Sequence, residues 1–394
     1  MRIAFVSHCR RKVGGAEVYL DSVLPAFARA GHDVAWLAET DPPSAREPIS
    51  CPSDAPQWTA SALGQTESLQ QLWEWEPDLV YTHGLYDPEL EGALLDIAPS
   101  VLYVHNYYGT CISGDKLHST STPHICEREF GPACLFHYFP ERCGGRNPLT
   151  MWSKYRLQSK RLDLMRHYSA LIANSQYMVG ELERHELKAE CVYPFTSANV
   201  SCVAKTSLND DPIRLIFAGR MSSLKGGSYL IAAAPDVQQA LKRNVHTTFA
   251  GDGSDRDEWY RLATARQNEQ ITFEFPGWLS AADLQGELAK SHLLVFPSIW
   301  PEPFGLSGLE AGFLGVPTVA FAVGGVPEWL KDGVNGHLAP APPTPHELAV
   351  TIAKALSDTE HYNRLRAGAC REAHRYGLDD HIAQLTQIFE RCAQ

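Results

Sequence analysis

The chain has 394 residues, more than one ordinary hydrophobic core supports, so its length predicts about two domains. Hydrophobic residues make up 44% of it and charged residues 20%, a balance that excludes a disordered chain or a coiled coil. The 34 lysines and arginines against 46 aspartates and glutamates give a net charge of −12, which argues against a nucleic-acid partner because an acidic surface does not attract a phosphate backbone.

Short apolar runs alternate with amphipathic helical stretches in the first half of the chain. Strands are predicted at residues 3–6, 34–37, 79–81, 101–104 and 171–173. Between the first two runs, residues 16–30 place apolar side chains at helical spacing, and Gly31 is a suitable C-cap. This strand–helix–strand order predicts a parallel sheet covered by helices.

The same pattern restarts after a polar stretch at residues 205–212. Strands are predicted at 214–217, 247–250, 271–275, 293–296 and 318–321, and three helices follow at 347–356, 362–374 and 380–392.

We therefore expect an α/β protein with two doubly wound, Rossmann-like domains. The N-terminal domain would span residues 1–204, the C-terminal domain 205–375, and a helix in 376–394 would pack back on the N-terminal domain. Sheets of this type bind ligands at the carboxyl ends of their strands, so the expected site is a cleft between the two domains.

Residues 301–312, with the sequence PEPFGLSGLEAG, carry two glutamates eight positions apart. The segment follows a predicted strand and begins a helix near residue 305, which places Glu302 in the loop and Glu310 more than one turn into the helix. A phosphate or a sugar hydroxyl could then be held at the positive end of this helix by the amides of Phe304, Gly305 and Leu306. The alternative is one ordinary first-turn glutamate and one solvated glutamate.

Two cations follow the first strand of the C-terminal half. Arg220 leaves the strand end, and Lys225 lies five residues later, just before a helix. Together they could neutralise a diphosphate without a metal ion. Two solvent-facing loop residues are the alternative.

In the N-terminal half, Gly14 and Gly15 open the first helix after a basic loop, which suits the approach of a phosphate or a sugar. The full G-x-G-x-x-G pattern is missing, so an ordinary tight turn fits equally well. His83 and His105 each end a predicted strand of the same sheet, where either a functional or a structural role is open.

Taken together, these segments resemble the retaining nucleotide-sugar glycosyltransferases of glycosyltransferase family 4, which have the GT-B fold. The resemblance covers nearly the whole chain. It rests on residues 14–17 (GGAE), 219–226, 251–253 (GDG), 297–298, 302–310, 324–328 (GGVPE) and 333–336.

The resemblance implies a role for each matching residue. Arg220 and Lys225 would grip the donor diphosphate, Glu310 would hold the ribose hydroxyls and Glu302 would contact the donor sugar. The family pattern also places His105 at the sugar and acceptor side, Trp278 beside the nucleobase, and Gly251 in the donor-binding turn.

The implied activity is transfer of a sugar from a UDP-linked donor to a saccharide or lipid-linked saccharide, in cell-surface or exopolysaccharide assembly. No cofactor is expected for catalysis, and the one Asp-x-Asp triplet, residues 255–257, is interpreted as a helix cap. A GT-B UDP-sugar epimerase and a non-catalytic nucleotide-sugar-binding scaffold are the alternatives.

An insertion-like segment, residues 106–150, departs from the family pattern. It contains Cys111, Cys126, Cys134 and Cys143, none of them in a Cys-x2-Cys pair. A structural zinc site, disulfides and unlinked thiols all remain open. The segment would border the acceptor side and shape acceptor choice.

Residues 151–168 carry five cations against one aspartate. The segment is interpreted as a solvated helix, with contact to anionic lipid as the alternative. Apolar stretches such as 293–296 and 316–323 are too short for a spanning helix, and residues 1–6 are too short for a secretory signal. The expected location is the cytoplasm, with peripheral contact at the inner face of the membrane for a lipid-linked acceptor.

Overall fold

The structure is a computed structural model that describes residues 1–12, 14–41, 47–120, 123–195 and 206–394. The chain divides into two compact units. Unit 1 comprises Met1–Pro194 with Leu378–Gln394, and unit 2 comprises Phe195–Gly377. The predicted domain boundary between residues 204 and 205 lies outside the described residues.

Unit 1 contains a seven-stranded parallel sheet with the strand order β3-β2-β1-β4-β5-β8-β9. Its strands are β1 (Arg2–Cys9), β2 (Asp33–Thr40), β3 (Gln57–Thr59), β4 (Leu79–Thr82), β5 (Ser100–Val104), β8 (Ala170–Ala173) and β9 (Ala189–Cys191). A separate antiparallel hairpin pairs β6 (Leu117–His118) with β7 (His124–Ile125).

Helices follow these strands. They are α1 (Gly15–Arg29), α2 (Ala60–Leu63), α3 (Gln65–Glu74), α4 (Pro88–Leu95), α5 (Ala133–His137), α6 (Pro148–Met165) and α7 (Gln176–Glu183). Of these helices, α1, α3 and α7 are the most clearly amphipathic. One apolar core cluster joins Val6, Val80 and Leu94, which come from β1, β4 and α4.

Unit 2 contains a six-stranded parallel sheet with the order β12-β11-β10-β13-β14-β15. The strands are β10 (Ile213–Ala218), β11 (Val245–Ala250), β12 (Ile271–Gly277), β13 (Leu293–Phe296), β14 (Thr318–Phe321) and β15 (Gly336–Ala339). The helices are α8 (Gly227–Leu241), α9 (Arg256–Thr264), α10 (Ala281–Ala289), α11 (Leu306–Phe313), α12 (Val326–Trp329), α13 (Pro345–Ala355) and α14 (Thr359–Ala373).

The last helix, α15 (Leu378–Cys392), belongs to unit 1. Its buried side chains recur at helical spacing, and Phe389 stacks on Phe27 with ring centroids 5.3 Å apart and contacts Tyr81 at 4.8 Å. The helix therefore completes the core beneath β1 and β4.

The predicted α/β class with two doubly wound, Rossmann-like sheets is confirmed, and each of the ten predicted strands is present. Three edge strands were not predicted: β3, β9 and β15. Their sequences, QWT, AEC and GHLA, are interrupted by polar residues or glycine and so form no apolar run. Within the described part of the chain, no helix combines the length and apolar character needed to cross a membrane.

Candidate functional site

Three glycines end adjacent strands at the carboxyl edge of the unit 2 sheet. Gly219, Gly251 and Gly277 follow or end β10, β11 and β12, and all three have positive φ. The Gly219 amide donates to the carbonyl of Ala250 at 3.0 Å, and the Gly251 amide donates to that of Gly277 at 2.8 Å. A Cβ on Gly251 would lie 2.0 Å from the Gly219 carbonyl oxygen, so the close approach of these backbones requires glycine.

Arg220 and Lys225 follow this edge but differ in their surroundings. Arg220 is exposed, and among the described residues no hydrogen bond or ion pair of its side chain is found. Lys225 ends a short 3-10 turn before Gly226, whose φ is +67° and whose Cβ would lie 1.8 Å from the Pro297 carbonyl oxygen. This contact holds the Lys225 turn against the loop that follows β13.

Lys225 and Glu302 form an ion pair that the sequence did not predict. The Lys225 ammonium lies 2.7 and 2.9 Å from the two carboxylate oxygens of Glu302, and 4.8 Å from the centre of the Trp300 ring. Glu302 is only 3% exposed, whereas Lys225 is half-buried. A nearly buried carboxylate thus fixes a cation that still reaches the surface.

This ion pair lies where the strand order of unit 2 reverses. Lys225 follows β10 and Glu302 follows β13, and these two strands are neighbours in the sheet although β11 and β12 separate them in sequence. In open α/β sheets such a reversal is the place where ligands bind, because the connections leave on opposite faces and open a crevice.

The loop that carries Glu302 is held by the glycine pair at residues 324–325. The Gly325 amide donates to the Glu302 carbonyl at 2.7 Å, and a Cβ on Gly324 would lie 2.2 Å from the same oxygen. The GGVPE segment therefore supports the backbone of Glu302, and this contact between distant segments was not predicted from the sequence.

The predicted start of the helix after Glu302 is confirmed. Gly305, with φ of +103°, occupies the N-cap position of α11, and Leu306 is its first residue. The Phe304 side chain is buried, and its carbonyl accepts a hydrogen bond from the Trp329 indole at 2.7 Å. At residue 304, therefore, only the backbone can offer a contact to a ligand.

Glu310 and Trp278 occupy different surroundings in unit 2. Glu310 lies in the second turn of α11, where burial by the surrounding protein raises the pKa of its carboxyl group. Trp278 follows β12 directly and is 48% exposed. A large exposed aromatic ring beside a strand end suits stacking on a planar ligand.

The Asp-x-Asp triplet differs in detail from its predicted capping role. Asp255 occupies the N-cap position of α9, but its carboxylate makes no capping hydrogen bond and accepts instead from the Ser254 hydroxyl at 2.8 Å. Asp257 lies in the first turn, where its charge is favourable to the helix dipole.

In unit 1, Gly14 is the N-cap of α1 and Gly15 its first residue, as predicted. The basic loop before them is engaged with neighbouring side chains. Arg11 pairs with Asp41 at 2.8 Å and Lys12 with Asp21 at 2.9 Å. These two ion pairs weaken the interpretation of this loop as a phosphate site.

The structure brings His83 and His105 together. They follow the neighbouring strands β4 and β5, and His83 Nδ1 lies 2.9 Å from His105 Nε2. Burial lowers the pKa of His105 to about 3 and that of His83 well below its ordinary value. Both rings are therefore neutral at pH 7.

A third histidine, His381 of α15, belongs to the same aromatic cluster. Its Nε2 lies 2.7 Å from the Tyr19 hydroxyl, and its Nδ1 lies 2.7 Å from the Tyr193 carbonyl oxygen. The Tyr19 hydroxyl also lies 2.8 Å from that of Tyr81. Burial lowers the pKa of His381 to about 4. The sequence offered no local signal for this contact, since 362 positions separate Tyr19 from His381.

The predicted solvated helix at residues 151–168 is wrong at Arg161, which lies on α6. Arg161 is 4% exposed, donates to the Leu85 carbonyl at 2.9 Å and lies 4.4 Å from the centre of the Tyr108 ring. It lines a cavity of about 30 Å³ together with His83 and His105. Backbone carbonyls and the face of an aromatic ring surround this cation, in place of the water expected around a solvated helix.

The four cysteines of the insertion-like segment come together in unit 1. Cys111, Cys126, Cys134 and Cys143 line a second cavity, and the structure leaves all four as free thiols.

Two family models match the chain. Residues 13–195 match "Glycosyltransferase Family 4" and residues 203–371 match "Glycosyl transferases group 1". Each match covers less than half of the chain, and the two follow one another with a short gap. Each half of the chain thus matches a glycosyltransferase family model.

Relatives and solved structures agree with this assignment. D-inositol 3-phosphate glycosyltransferase of Streptomyces bingchenggensis (strain BCW-1) is 30% identical over 239 residues, which are 56% of this chain and 52% of the relative. Spore coat protein SA of Bacillus subtilis (strain 168) is 27% identical over 407 residues, covering 99% of this chain and 100% of the relative. The chain matches about half the length of the first curated relatives.

Among solved structures, Anabaena HepE in complex with UDP-glucose is similar with a TM-score of 0.70 and 20% sequence identity, over 99% of this chain and 100% of that one. At this identity the likeness concerns the fold, and the fold is GT-B.

Proposed function

We propose that this chain is a retaining glycosyltransferase that moves a sugar from a UDP-linked donor to a saccharide or lipid-linked saccharide acceptor. The observation that carries the proposal is the pair of cations, Arg220 and Lys225, at the strand-order reversal of unit 2, with Lys225 fixed by Glu302. The likeness to a protein solved with UDP-glucose supports the donor, and the likeness to a spore coat protein supports a role in cell-surface assembly.

The proposed site stabilises a departing nucleoside diphosphate. When the bond between the sugar and the phosphate breaks, negative charge grows on the phosphate oxygen, and fixed cations bind it more strongly than they bind the intact donor. Lys225 is held in place by Glu302 before any donor arrives, so little reorganisation is needed. Arg220, which is exposed, supplies a second charge with a planar donor geometry suited to phosphate.

Retention follows from attack on the face that the leaving group vacates. The acceptor oxygen forms its bond to the anomeric carbon, the carbon–phosphate-oxygen bond breaks, and the acceptor hydroxyl proton passes to the released phosphate oxygen. The products are the glycosylated acceptor and UDP. No separate general base is required, and a pKa of about 3 makes His105 too weak a base to be an efficient one.

The remaining donor contacts follow the family pattern. Glu310 would hold the ribose hydroxyls, Trp278 would stack beside the base, and the backbone at Gly251 and at residues 304–306 would approach the donor. In unit 1, His105 and the Gly14–Gly15 turn would contribute to the sugar and acceptor side. A lipid-linked acceptor would bring the protein to the inner face of the membrane.

Thermal unfolding with a panel of nucleotides and nucleotide sugars tests the donor. A ligand at 100 times its dissociation constant stabilises by about 2.7 kcal/mol, so UDP-sugars should raise the melting temperature more than GDP- or ADP-sugars do. No shift with any nucleotide would contradict the whole proposal.

The stereochemistry and the two alternatives are tested with the donor that binds. NMR of the product should show the anomeric configuration of the donor, and an inverted product would contradict the front-face step. Donor incubated alone should not yield an epimerised sugar, as an epimerase would produce. Binding without transfer to any saccharide or lipid-linked acceptor would favour the scaffold.

A further inference from the structure

Four cysteines that are scattered in sequence surround one small cavity in unit 1. The cavity has a volume of about 20 Å³ and is lined by Cys111, Cys126, Cys134 and Cys143, with Ile112, Leu117, His118, Arg128 and His137 completing the wall. A space of this size holds roughly one water molecule, so it suits a single ion and is too small for an iron–sulfur cluster.

A backbone amide already points at one of the four sulfurs: the Lys116 amide donates to Cys111 Sγ at 3.3 Å. Sulfur of a neutral thiol is a weak acceptor, whereas a thiolate is a strong one. Amide donors of this kind stabilise the thiolate, which is the form that binds metal ions.

The segment that carries the cysteines has little regular secondary structure. Among its described residues between 106 and 147, this consists of the two-residue strands β6 and β7 and the five-residue helix α5. One apolar cluster has the buried side chains Ile112, Phe130 and Tyr138, with partly buried side chains packed against them. A long segment with so little regular structure is suited to further stabilisation by a cross-link or a metal ion.

We propose that Cys111, Cys126, Cys134 and Cys143 bind one zinc ion as a structural four-thiolate site that organises residues 106–150. Structural zinc sites bind the ion with four protein ligands, commonly cysteine sulfurs, and leave no open coordination position. Zinc would draw the four sulfurs to about 2.3 Å from the ion by rotation of the side chains.

A second group of side chains near the cysteines is an alternative metal site. Of the described residues, His118, His124 and Glu141 have ligand atoms within 4.8 Å of one another, which the four sulfurs do not. However, His118 Nδ1 already lies 2.8 Å from the Glu141 carboxylate, and His124 is exposed. A histidine–carboxylate pair accounts for this group without a metal ion, whereas the four cysteines share a cavity of the size of one ion.

Metal analysis of the full chain, expressed with zinc in the medium and purified without chelator, tests the proposal. We expect about one zinc ion per chain, and X-ray absorption should show a shell of four sulfurs at about 2.3 Å. Cys126→Ser and Cys143→Ser should each lose the zinc. Cys51→Ser and Cys392→Ser, which alter free thiols outside the segment, should retain it.

Two further experiments serve as controls, one for the alternative histidine–glutamate group and one for the folding of the variants. The double variant His118→Asn/Glu141→Gln should keep its zinc and its sulfur shell; a shell of nitrogen and oxygen in the unmodified chain would overturn the proposal. In the unmodified chain, a strong chelator should lower the melting temperature and added zinc should restore it, a result that does not depend on whether a cysteine variant folds.

Counting thiols in denatured protein distinguishes the remaining alternatives. Zinc-free protein whose four segment cysteines react without reductant would establish plain thiols. Zinc-free protein whose cysteines react only after reduction would establish disulfides. Either result overturns the proposal, and neither bears on the proposed binding of the donor diphosphate by Arg220 and Lys225 of unit 2.

Discussion

In each unit, two neighbouring strands of the sheet end in a pair of polar side chains. The pair is charged in unit 2 and neutral in unit 1. At the ends of β10 and β13 in unit 2, Lys225 and Glu302 form a charged pair, and the exposed Arg220 stands beside the same edge. At the ends of β4 and β5 in unit 1, His83 and His105 form a neutral pair. The same sheet architecture thus carries a charged pair at one pair of strand ends and, at the other, a neutral pair that offers only hydrogen bonds.

The difference follows from how each edge is buried. Glu302 is enclosed, and its carboxylate is paired with Lys225, which reaches the solvent. The histidines are enclosed by tyrosines and by one another, and such surroundings disfavour a positive ring. Under the proposed function, this division gives the leaving diphosphate to unit 2 and places neutral histidines at the acceptor side, where Arg161 lines the same cavity.

The largest expected effect is on turnover in the two cation variants. Arg220→Ala and Lys225→Ala should each lower kcat by roughly 10²- to 10³-fold, about 2.7 to 4 kcal/mol, because each removes a charge that binds the transition state more than the donor. Steady-state kinetics with the donor identified by thermal shift would measure this. Near-normal kcat in both variants would place the diphosphate elsewhere.

The same two variants should differ in stability. Lys225→Ala leaves the buried Glu302 carboxylate unpaired and should cost about 3 kcal/mol of unfolding free energy, the lower end for a buried pair because the ammonium is partly exposed. Arg220→Ala, at an exposed position, should stay within about 0.5 kcal/mol. Adding Glu302→Gln to Lys225→Ala should recover stability without recovering kcat.

Acid should destabilise unit 1 through its buried histidines, of which His381 is one. Unfolded histidine binds a proton below about pH 6.5, whereas His381 binds one in the native state only near its pKa of about 4. The unfolded state therefore holds more protons in this window, and stability should fall by about 1.4 kcal/mol per pH unit for this histidine as pH drops from 6.5 to 4.

Urea unfolding between pH 7.5 and 4.5 would measure this dependence. His381→Gln should reduce the slope by about one proton, whereas His346→Gln, at a side chain 74% exposed, should leave it unchanged. A slope in the unmodified chain that is equal to that of His381→Gln would contradict the assignment of a neutral native His381.

The smallest expected effect concerns Glu310. Its proposed ribose contact is made equally in the donor complex and in the transition state, so Glu310→Ala should raise the donor KM by about 10- to 100-fold and change kcat little. If kcat fell as far as in Arg220→Ala, Glu310 would belong to the charge-handling edge and the ribose role would be wrong.

Local patterns predicted the elements of both sheets but not the contacts between distant segments. The apolar runs of β1 or β13 identify buried strands because every residue in them is enclosed. Lys225 and Glu302 were each predicted as site residues, yet their pairing joins positions 77 apart and depends on β10 and β13 being neighbours. Strand order is a property of the whole sheet, which residue spacing does not encode.

The same limit explains Arg161 and the cysteines. Arg161 has the composition of a solvated helix around it, and only the carbonyl of Leu85 and the ring of Tyr108 reveal why it is enclosed. The cysteine spacing lacks a zinc-ribbon pattern, and only the folded segment shows that the four thiols share a cavity.

Because α15 belongs to unit 1 but follows all of unit 2 in sequence, unit 1 is completed late during synthesis. Tyr19 emerges early, but its partner His381 and the Phe389 ring that stacks on Phe27 are synthesised only after all of unit 2. Until then the nascent unit 1 exposes the apolar surface on which α15 later packs. The part of the protein made first is completed late, so its exposure to chaperones and proteases lasts for nearly the entire synthesis of unit 2.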